Sequence, residues 1–399
     1  MNDNNESPRI LIYSQDGFGL GHLRRNLNIS LQIKKMSAAA SVLILADSPV
    51  APFFKLPPCC DFVKLPTIVK VDTGVWRSNR LSMSYKDILK IRSQIIQDVA
   101  ITFRPHVFLV DHMPHGALGE LDQPLKELKA THKNTKIVLG LRDILGSNDV
   151  IHNMWVKEGA FAAIEQFYDD ICIYGNDNVF DLIKEYSFPE SIARKSQYCG
   201  YVARDSNGED AIEEVMKSDS QNDEKLLLIT GGGGADASYF MDMFIDAFRS
   251  LGEDYNARAI LSTGPFMQDD QIKALQSKAA GLKISIESNA EDSIEDLINA
   301  DLVISMAGYN TVSELMHYRK NAIIIPRPGP SAEQTMRTDI FTKRGVFRSI
   351  YLRDIQVKKF AEMIHEKLSD GIGMDESQLP NLNGAANVAE VLLERCNTN

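Results

Sequence analysis

The residues with the clearest chemical potential lie in the last third of the chain. An apolar run at 302–304 stops at a turn of small residues that ends in Gly308. We expect a helix to follow, with Asn310 or Thr311 as its cap and Glu314 about one turn in. The start of such a helix presents unpaired backbone N–H groups and a positive dipole end to an anion. Because a carboxylate beside a phosphate cradle suits a ribose diol, this stretch predicts a nucleotide diphosphate as the ligand.

A run of glycines lies between a predicted strand and a predicted helix earlier in the same half. The strand covers Lys225–Thr230, and the helix begins at about Ser238. Glycines there allow close approach of the backbone to a ligand, whereas a simple tight turn needs only one or two of them. The loop lacks the Lys-Ser/Thr ending of a Walker loop. We therefore expect a ligand-facing loop, made by Gly231, Gly232, Gly233 and Gly234.

The first half of the chain opens with a similar layout. A strand at Arg9–Ser14 leads into a loop containing Gly19 and Gly21, which ends at His22 before an amphipathic helix. Open α/β sheets bind ligands at the carboxyl edge of their strands, and histidine suits proton transfer near neutral pH. We therefore expect a functional role for His22, with helix capping or packing as the alternative. Arg25 follows within one turn and is a further candidate.

Two other strand ends in the first half carry polar groups. The strand Val107–Asp111 runs into His112, and the strand Lys136–Leu141 runs into Arg142. We expect Asp111, His112 and Arg142 to line the same crevice as His22. The alternatives are that Asp111 caps the next helix and that Arg142 pairs with a neighbour. The histidine and carboxylate spacing is not that of a metal site, so no metal is predicted.

A proline-stiffened loop follows the predicted strand Ala322–Ile325. It leads into a helix at about Gln334, and Glu333 and Gln334 are placed to read sugar hydroxyls by hydrogen bonds. A capping box between Ser331 and Gln334 is the alternative interpretation, and both can hold. A long segment at 67–84, which carries Trp76, reads as a loop for an acceptor or a partner.

Short apolar runs alternate with helical segments along the whole chain, which predicts parallel sheets wrapped by helices. Because the pattern occurs twice, we expect an α/β protein with two doubly wound, Rossmann-like domains that face each other across a cleft. The expected boundaries are 1–204 for the first domain, 205–224 for an acidic linker, 225–380 for the second domain, and 381–399 for a final helix that crosses back. Beyond those already given, the predicted strands are 42–46, 62–65, 171–174, 258–262, 283–287, 302–305 and 349–352.

Composition sets limits on the partners. The chain has 399 residues and a net charge of −11, which argues against a nucleic-acid-binding protein. It contains no apolar run of about 18 residues and no signal-peptide pattern, so we expect a cytoplasmic protein; association with a membrane surface stays open. The five cysteines are scattered and lack a CxxC pair, which predicts reduced, buried thiols and no structural zinc. No cofactor is expected.

These motifs together resemble the glycosyltransferase B-type fold, and within it the C-terminal domain of glycosyltransferase family 28. The stretch 308–314 is similar to that family's G-x-x-T-x-S-E motif. The resemblance implies that Gly308, Tyr309, Asn310 and Thr311 hold the diphosphate, that Glu314 holds the ribose, and that the glycine loop faces the diphosphate. It also places the base near Glu287–Glu291. The family has a Gln pair at the position of Glu333 and Gln334, so Glu333 is a departure that points to a different sugar.

The first half resembles other relatives. The stretch 19–25 is similar to the G-x-G-H-x-x-R loop of a nucleotide-sugar hydrolase of pseudaminic acid synthesis, in which the histidine serves the attacking water. The whole chain most resembles a set of predicted bacterial glycosyltransferases without an assigned reaction. The acceptor, whether a glycan, a lipid-linked sugar or a small molecule, is not specified.

The sequence thus predicts an inverting, metal-independent transfer of a sugar from a nucleotide diphosphate-sugar, most simply a UDP-linked N-acetylhexosamine, to a hydroxyl acceptor. His22, or else Asp111, would deprotonate that hydroxyl. Two alternatives stay open at this point. One is a hydrolase that uses the same donor with water as the acceptor. The other is a protein that binds nucleotide sugars without catalysis.

Overall fold

The structure is a computed structural model of the whole chain, and it describes residues 7–16, 20–72, 75–204, 224–252, 255–288, 294–329, 331–369 and 374–397. The described residues divide into two units. Unit 1 comprises Met1–Ala203 together with Asn383–Asn399, and unit 2 comprises Arg204–Leu382. None of the helices in the described ranges is long and apolar enough to cross a membrane.

Unit 1 is built on a parallel sheet in which the described residues form seven strands. Their order is β3-β2-β1-β6-β7-β8-β9, and a separate antiparallel hairpin, β4–β5, accompanies them. Ile10–Tyr13 are fully buried, as expected for a strand whose two faces are covered by helices. The strands are β1 Arg9–Ser14, β2 Ser41–Ala46, β3 Cys60–Lys64, β4 Ile68–Asp72, β5 Val75–Ser78, β6 Val107–Asp111, β7 Lys136–Arg142, β8 Asp170–Tyr174 and β9 Ser196–Tyr198.

The helices of unit 1 cover both faces of this sheet. In the first helix, Leu23, Leu27 and Ile33 are buried, whereas Lys34 and Lys35 occupy its last turn and suit its negative dipole end. The helices are α1 Gly21–Met36, α2 Tyr85–Phe103, α3 Asp122–Thr131, α4 Asn148–Glu158, α5 Ala160–Phe167, α6 Leu182–Glu185 and α7 Glu190–Ala193, with 3-10 turns at Ala51–Phe53 and Ala117–Gly119.

Unit 2 repeats the architecture, and its described residues form a parallel sheet of six strands in the order β12-β11-β10-β13-β14-β15. Its strands are β10 Lys225–Thr230, β11 Ala257–Ser262, β12 Ile284–Glu287, β13 Leu302–Ser305, β14 Ala322–Ile324 and β15 Arg348–Ser349. Its helices are α8 Ser238–Leu251, α9 Asp269–Ala279, α10 Ile294–Asn299, α11 Tyr309–His317, α12 Glu333–Lys343 and α13 Val357–Ser369, with 3-10 turns at Leu352–Asp354 and Glu376–Gln378. The predicted fold class, two doubly wound parallel-sheet α/β domains, is confirmed.

The last helix of the chain, α14 (Gly384–Asn397), belongs to unit 1. It packs against α1, and Asn387 Nδ2 donates to the carbonyl of Cys199 at 2.8 Å. Arg395 near its end holds the Asp170 carboxylate through two nitrogens, each at 2.7 Å. The chain therefore returns to unit 1 after completing unit 2.

Several sequence expectations need correction. The segment 67–84 was expected to be a loop, but it contains the β4–β5 hairpin, in which Lys70 pairs with Trp76. The strand expected at 349–352 ends at Ser349, and the short strand β9 was not anticipated. Cys59 is exposed rather than buried, although the five cysteines are free as expected. The predicted linker falls almost entirely in 205–223, outside the described residues.

A buried ionic cluster ties together the strands and helices of unit 1. Arg92 of α2 is fully buried and donates to both oxygens of Glu120 at 2.6 Å and to Asp47 Oδ1 at 2.7 Å. Tyr13 of β1 donates to Glu120 Oε1 at 2.6 Å, and burial raises the pKa of Tyr13 well above its usual range. One guanidinium thus satisfies two carboxylates from different parts of the chain.

We expect Arg92→Leu to lower the free energy of unfolding by about 3–5 kcal/mol, because it leaves two carboxylates buried without their cation. Urea unfolding followed by circular dichroism measures the change. Arg194→Leu is the matched control: Arg194 pairs with Glu190 on the surface, where an ion pair contributes about 1 kcal/mol or less. Equal losses in the two variants would contradict the structural role of the cluster.

Candidate functional site

Each unit carries a loop at the place where its strand order reverses. In unit 1 the reversal lies between β1 and β6, and in unit 2 it lies between β10 and β13. Loops that leave two adjacent strands in opposite directions open a crevice at the carboxyl ends of those strands, where doubly wound proteins bind ligands. The loop before His22 follows β1, and Asp111 ends β6. The four-glycine loop follows β10, and Gly308 lies just after β13.

In unit 2, helix α11 begins without a side-chain cap. Its N-cap residue is Gly308, with φ −62° and ψ 144°, and this residue has no side chain that could cap the helix. The cap expected at Asn310 or Thr311 is therefore wrong, since both lie inside the helix. Gly308, Asn310 and Thr311 are partly exposed. Ser305 Oγ, at the end of β13, is buried and has no hydrogen-bond partner among the described residues. The helix start is accessible to an anion.

The backbone does not require a glycine at position 308. Its φ suits any residue, and a β-carbon there would meet only Thr311 Oγ1, at 3.8 Å. The glycines after β10 differ, because a β-carbon on Gly231 would lie 2.2 Å from Ala237 Cβ and one on Gly234 would lie 1.7 Å from the carbonyl oxygen of Thr263. Packing explains those two glycines. The glycine at 308 has no such explanation, which fits a loop that a ligand approaches closely.

A buried arginine holds the loop before α11 in place. Arg337 of α12 donates to the carbonyl of Ala307 at 2.9 Å and to Glu333 Oε1 at 3.0 Å, and its guanidinium lies 5.7 Å from the Tyr309 ring centre. Glu333, expected to contact a sugar, is thus engaged by Arg337. The arginine was not anticipated from the sequence, although its i+4 spacing from Glu333 was visible.

The proline-stiffened loop is bonded to its neighbours. Gln334 Oε1 accepts from the backbone N–H of Arg327 at 3.0 Å, and the Arg327 guanidinium pairs with Asp236 at 3.0 Å. The alternative capping box does not form, because Ser331 Oγ accepts from Glu333 N and Gln334 turns to the loop. The ion pair between Arg327 and Asp236 ties the loop after β14 to the loop after β10. Glu314, the expected ribose ligand, is buried near the middle of α11.

In unit 1 the structure brings the expected polar residues together around Asp111. Its carboxylate is fully buried and receives Arg25 NH2 at 2.9 and 2.7 Å, Asn26 Nδ2 at 3.1 Å and His22 Nδ1 at 3.0 Å. His22, Arg25 and Asn26 are spaced i, i+3 and i+4, which places them on one face of α1. Asp111 therefore does not cap the following helix. Asn26 was missed, although its spacing from His22 could have revealed it.

His22 Nδ1 lies beside both a carboxylate and a guanidinium nitrogen. Burial alone would raise the pKa of Asp111, but the positive charge of Arg25 and the contact with His22 hold it well below its usual range, so the carboxylate is ionised. The Arg25 amino nitrogen that donates to the Asp111 oxygens also lies 2.8 Å from His22 Nδ1. In the tautomer that donates the Nδ1 proton to Asp111 Oδ2, Nε2 keeps its lone pair. With 17% of its side chain exposed, His22 is accessible as a base.

The start of α1 is made differently from the start of α11. Asp16 accepts from the backbone N–H groups of His22 at 3.2 Å and of Leu23 at 2.5 Å. A carboxylate from the chain itself therefore occupies the helix end in unit 1, whereas the N-cap residue of α11 in unit 2 is a glycine. Sequence reasoning missed Asp16. Gly19 lies outside the described residues, and Gly21 is the first residue of α1.

His112 lies against His22 in a strained backbone conformation. The two ring centres are 5.4 Å apart, and His112 has φ 82°. Burial lowers the pKa of His112 well below its usual range, and the positive charge of Arg142 lowers it further. Arg142 is thus near the cluster, as expected. His112 is neutral at physiological pH and adds no charge beside His22. The described residues contain no cluster of three potential metal ligands.

Comparison with known proteins agrees with this arrangement. Residues 226–391 match the model of the Glycosyltransferase family 28 C-terminal domain. The matched range runs from β10 through unit 2 into the first part of α14. A relative from Rickettsia bellii, UDP-N-acetylglucosamine--N-acetylmuramyl-(pentapeptide) pyrophosphoryl-undecaprenol N-acetylglucosamine transferase, is 26% identical over 174 residues, 43% of this chain and 48% of that protein. The chain spans about half the length of the curated relatives it matches.

Solved structures extend the likeness to both units. MurG from Acinetobacter baumannii aligns over 98% of this chain and 100% of its own, with a TM-score of 0.57 and 13% identity. A UDP-GlcNAc 2-epimerase from Neisseria meningitidis aligns over the same shares, with a TM-score of 0.57 and 12% identity. The expected resemblance to the family 28 domain and to the glycosyltransferase B-type fold is confirmed. Since transferases and an epimerase share this fold, the fold alone does not fix the reaction.

We expect Gly308→Ala to leave the stability of the protein within about 0.5 kcal/mol of the wild type, because the added methyl group fits the backbone and meets no close neighbour. The same methyl group would keep an anion from the uncapped amides. UDP binding, measured by isothermal titration calorimetry, should weaken about 10- to 100-fold through loss of a charge-assisted hydrogen bond. Unchanged affinity in a folded variant would show that UDP does not contact this loop.

The second expectation concerns pH. Because the folded-state pKa of His112 is lowered, its stabilising effect is present above the unfolded pKa of about 6.5 and is lost as pH falls below that value. Between pH 7 and 5.5 the wild type should lose about 1 kcal/mol more unfolding free energy than His112→Asn. Asparagine tolerates the positive φ. Urea unfolding at both pH values makes the comparison, and identical losses would contradict a depressed pKa.

Proposed function

We propose that this protein is an inverting glycosyltransferase that moves a sugar from a nucleotide diphosphate-sugar, a UDP-linked hexose or N-acetylhexosamine, to a hydroxyl acceptor without a metal ion. The observation that carries the proposal is the partly exposed start of α11, which follows β13 at the reversal of strand order and opens at a glycine that the backbone does not require. The family 28 domain in the same region and the nucleotide-sugar transferases among the relatives support it.

Unit 2 would bind the donor. The amides at the start of α11 and in the loop after β10 would face the diphosphate, and the positive helix end would stabilise the charge that grows on the leaving group. Gly232 has φ 65° and nothing within 4 Å of the position of a β-carbon, so it is the most open part of that glycine loop. Glu314 would receive the ribose hydroxyls.

The sugar is the less constrained part of the donor. Gln334 holds the backbone of Arg327 through its oxygen, which leaves the amide nitrogen of its side chain as the group for a sugar hydroxyl. Glu333 is already engaged by Arg337. We therefore assign sugar contact to Gln334 and a supporting role to Glu333, which differs from the expectation that both contact the sugar.

His22 would act as the general base in unit 1. Its Nε2 takes the proton from the acceptor hydroxyl as that oxygen attacks the anomeric carbon and the nucleotide diphosphate leaves from the opposite face. Asp111 stabilises the imidazolium that forms, and Arg25 and Asn26 keep the carboxylate oriented. A single displacement of this kind inverts the anomeric centre. Because Asp111 is fully buried and held by three side chains, it does not itself reach a substrate.

Hydrolysis of the nucleotide sugar, with water as the acceptor, is the second candidate function. The observation in its favour is the His22–Arg25 pair on one turn of α1, the spacing found in the resembling hydrolase loop. Incubating the protein with UDP-N-acetylglucosamine in the absence of an acceptor separates the two. Rapid release of free sugar at full turnover would overturn the transferase, whereas slow release that accelerates with an added hydroxyl acceptor supports it. A thermal-shift series across nucleoside diphosphates identifies the nucleobase of the donor.

We expect His22→Ala to reduce turnover about 10²- to 10⁴-fold while UDP affinity changes less than about threefold, because the base acts on the acceptor and not on the nucleotide. Steady-state kinetics and calorimetry with UDP provide the two readouts. His365→Ala, on the exposed face of α13, is the control and should match the wild type. Comparable losses of turnover and of UDP affinity in His22→Ala would make His22 a binding residue.

A further inference from the structure

A pocket of about 280 Å³ lies at the carboxyl edge of the unit 1 sheet, beside the β4–β5 hairpin. Its apolar wall consists of Pro49, Leu65, Pro66 and Leu81, and its polar groups come from Lys64, Thr67, Ser78, Asn79 and Arg80. None of these described lining residues is acidic. The volume is large enough for a small group such as a phosphate or a carboxylate.

Two cations, Lys64 and Arg80, line the pocket, and its described lining includes no carboxylate. Asp47, whose charge acts on Lys64, and Glu120 are both held by Arg92 in the buried cluster. Lys64 donates to Thr67 Oγ1 at 2.8 Å and to the carbonyl of Leu65. Burial lowers the pKa of Lys64, Asp47 opposes this, and the charges of Arg92 and Arg80 lower it further. An anion in the pocket would relieve the repulsion between these cations.

Arg80 is placed to hold such an anion. It is exposed at the end of the hairpin, and no hydrogen bond or ion pair involves its guanidinium within the described ranges. The hairpin itself is fixed at this end, because Asn79 N donates to the carbonyl of Thr67 at 3.0 Å and Leu81 N donates to Ser78 Oγ at 2.9 Å. A guanidinium on a fixed turn offers paired donors to a phosphate or a carboxylate.

The strand order relates the pocket to His22. Lys64 ends β3, and β3 is two strands from β1 on the same sheet edge. With neighbouring strands about 4.8 Å apart, the end of β3 lies roughly 10 Å from the end of β1, which leads to the His22 loop. Between the two strand ends, Lys64 pairs with Ala46 of β2 in the sheet, and Gln15 Nε2 donates to Oδ2 of the next residue, Asp47, at 3.3 Å.

We propose that this pocket binds a phosphate or carboxylate group of a small organic anion, and that this anion is part of the acceptor whose hydroxyl His22 activates. The assignment to the acceptor rests on the proposed function, whereas the binding of the anion does not. The anionic group would lie between Lys64 and Arg80, with the carbon body against Leu65 and Leu81. It would thereby set the acceptor's distance from the base.

A second basic pocket in unit 1 does not support the same inference. It has a volume of about 500 Å³, lies at the opposite edge of the sheet and includes Arg104, Lys133 and Arg395. These residues follow or end α2, α3 and α14, whose terminal carbonyls give the site a negative potential. The negative potential of these helix ends explains the basic residues of the second pocket. Lys64 and Arg80 do not lie at a helix end.

Ligand-observed NMR titrations with phenyl phosphate, benzoate and phenol test the proposal, with saturating UDP present to fill the unit 2 cradle. We expect phenyl phosphate or benzoate to bind, and the one that binds more tightly identifies the anionic group. Phenol, which has the same ring without the charge, should bind at least about tenfold more weakly. No binding of either anion, or equal binding of phenol, would overturn the proposal.

The matched variants are Arg80→Gln and Arg77→Gln, which remove one charge each from the same hairpin. Arg77 is exposed on β5 and does not line the pocket. Arg80→Gln should weaken the anion about tenfold, and Arg77→Gln should leave its affinity unchanged; equal effects of the two would refute the site. Absence of UDP binding to all three proteins would overturn the proposed function instead, because UDP and the anion are measured separately.

Discussion

The reversal of strand order is the constraint on which the rest of the molecule depends. A parallel sheet wound in both directions from its centre leaves two adjacent strands whose following loops diverge, and this happens once in each unit. In unit 1 the two strands deliver the His22 loop and Asp111 to one place. In unit 2 they deliver the glycine loop and the start of α11. Neither cluster is formed by residues that are neighbours in sequence, and each exists because the sheet brings them together.

The two crevices then differ in chemistry through single side chains. In unit 1 the first helix has its amides taken by Asp16, so the loop presents a histidine ring. In unit 2 the helix after β13 has Gly308, a residue without a side chain, at its start. One architecture thus yields a histidine–aspartate cluster in unit 1 and a helix start that opens at a glycine in unit 2. The difference is local, and the same scaffold supports both.

Much of the fold was predictable from the sequence, since continuous apolar runs separated by helical periods identify buried parallel strands. Contacts between side chains that are far apart in the sequence were harder to predict. Arg92, Asp47 and Glu120 are far apart in the chain, and no local pattern announces that one guanidinium serves two carboxylates. The hairpin formed by β4 and β5 was missed because its strands are only five and four residues long. Asp111 was found as a candidate, but its role as the partner of His22 required the sheet order to be known.

The return of the last helix to the first unit has a consequence for how the protein is made. Unit 1 is discontinuous in the chain: its covering helix α14 is synthesised only after all of unit 2. Until α14 has been synthesised, the face of α1 that packs on it lacks its partner, which includes Leu392 and other buried apolar residues. A single cut in the polypeptide therefore cannot separate the two units. The fourteen-residue helix α14 completes unit 1.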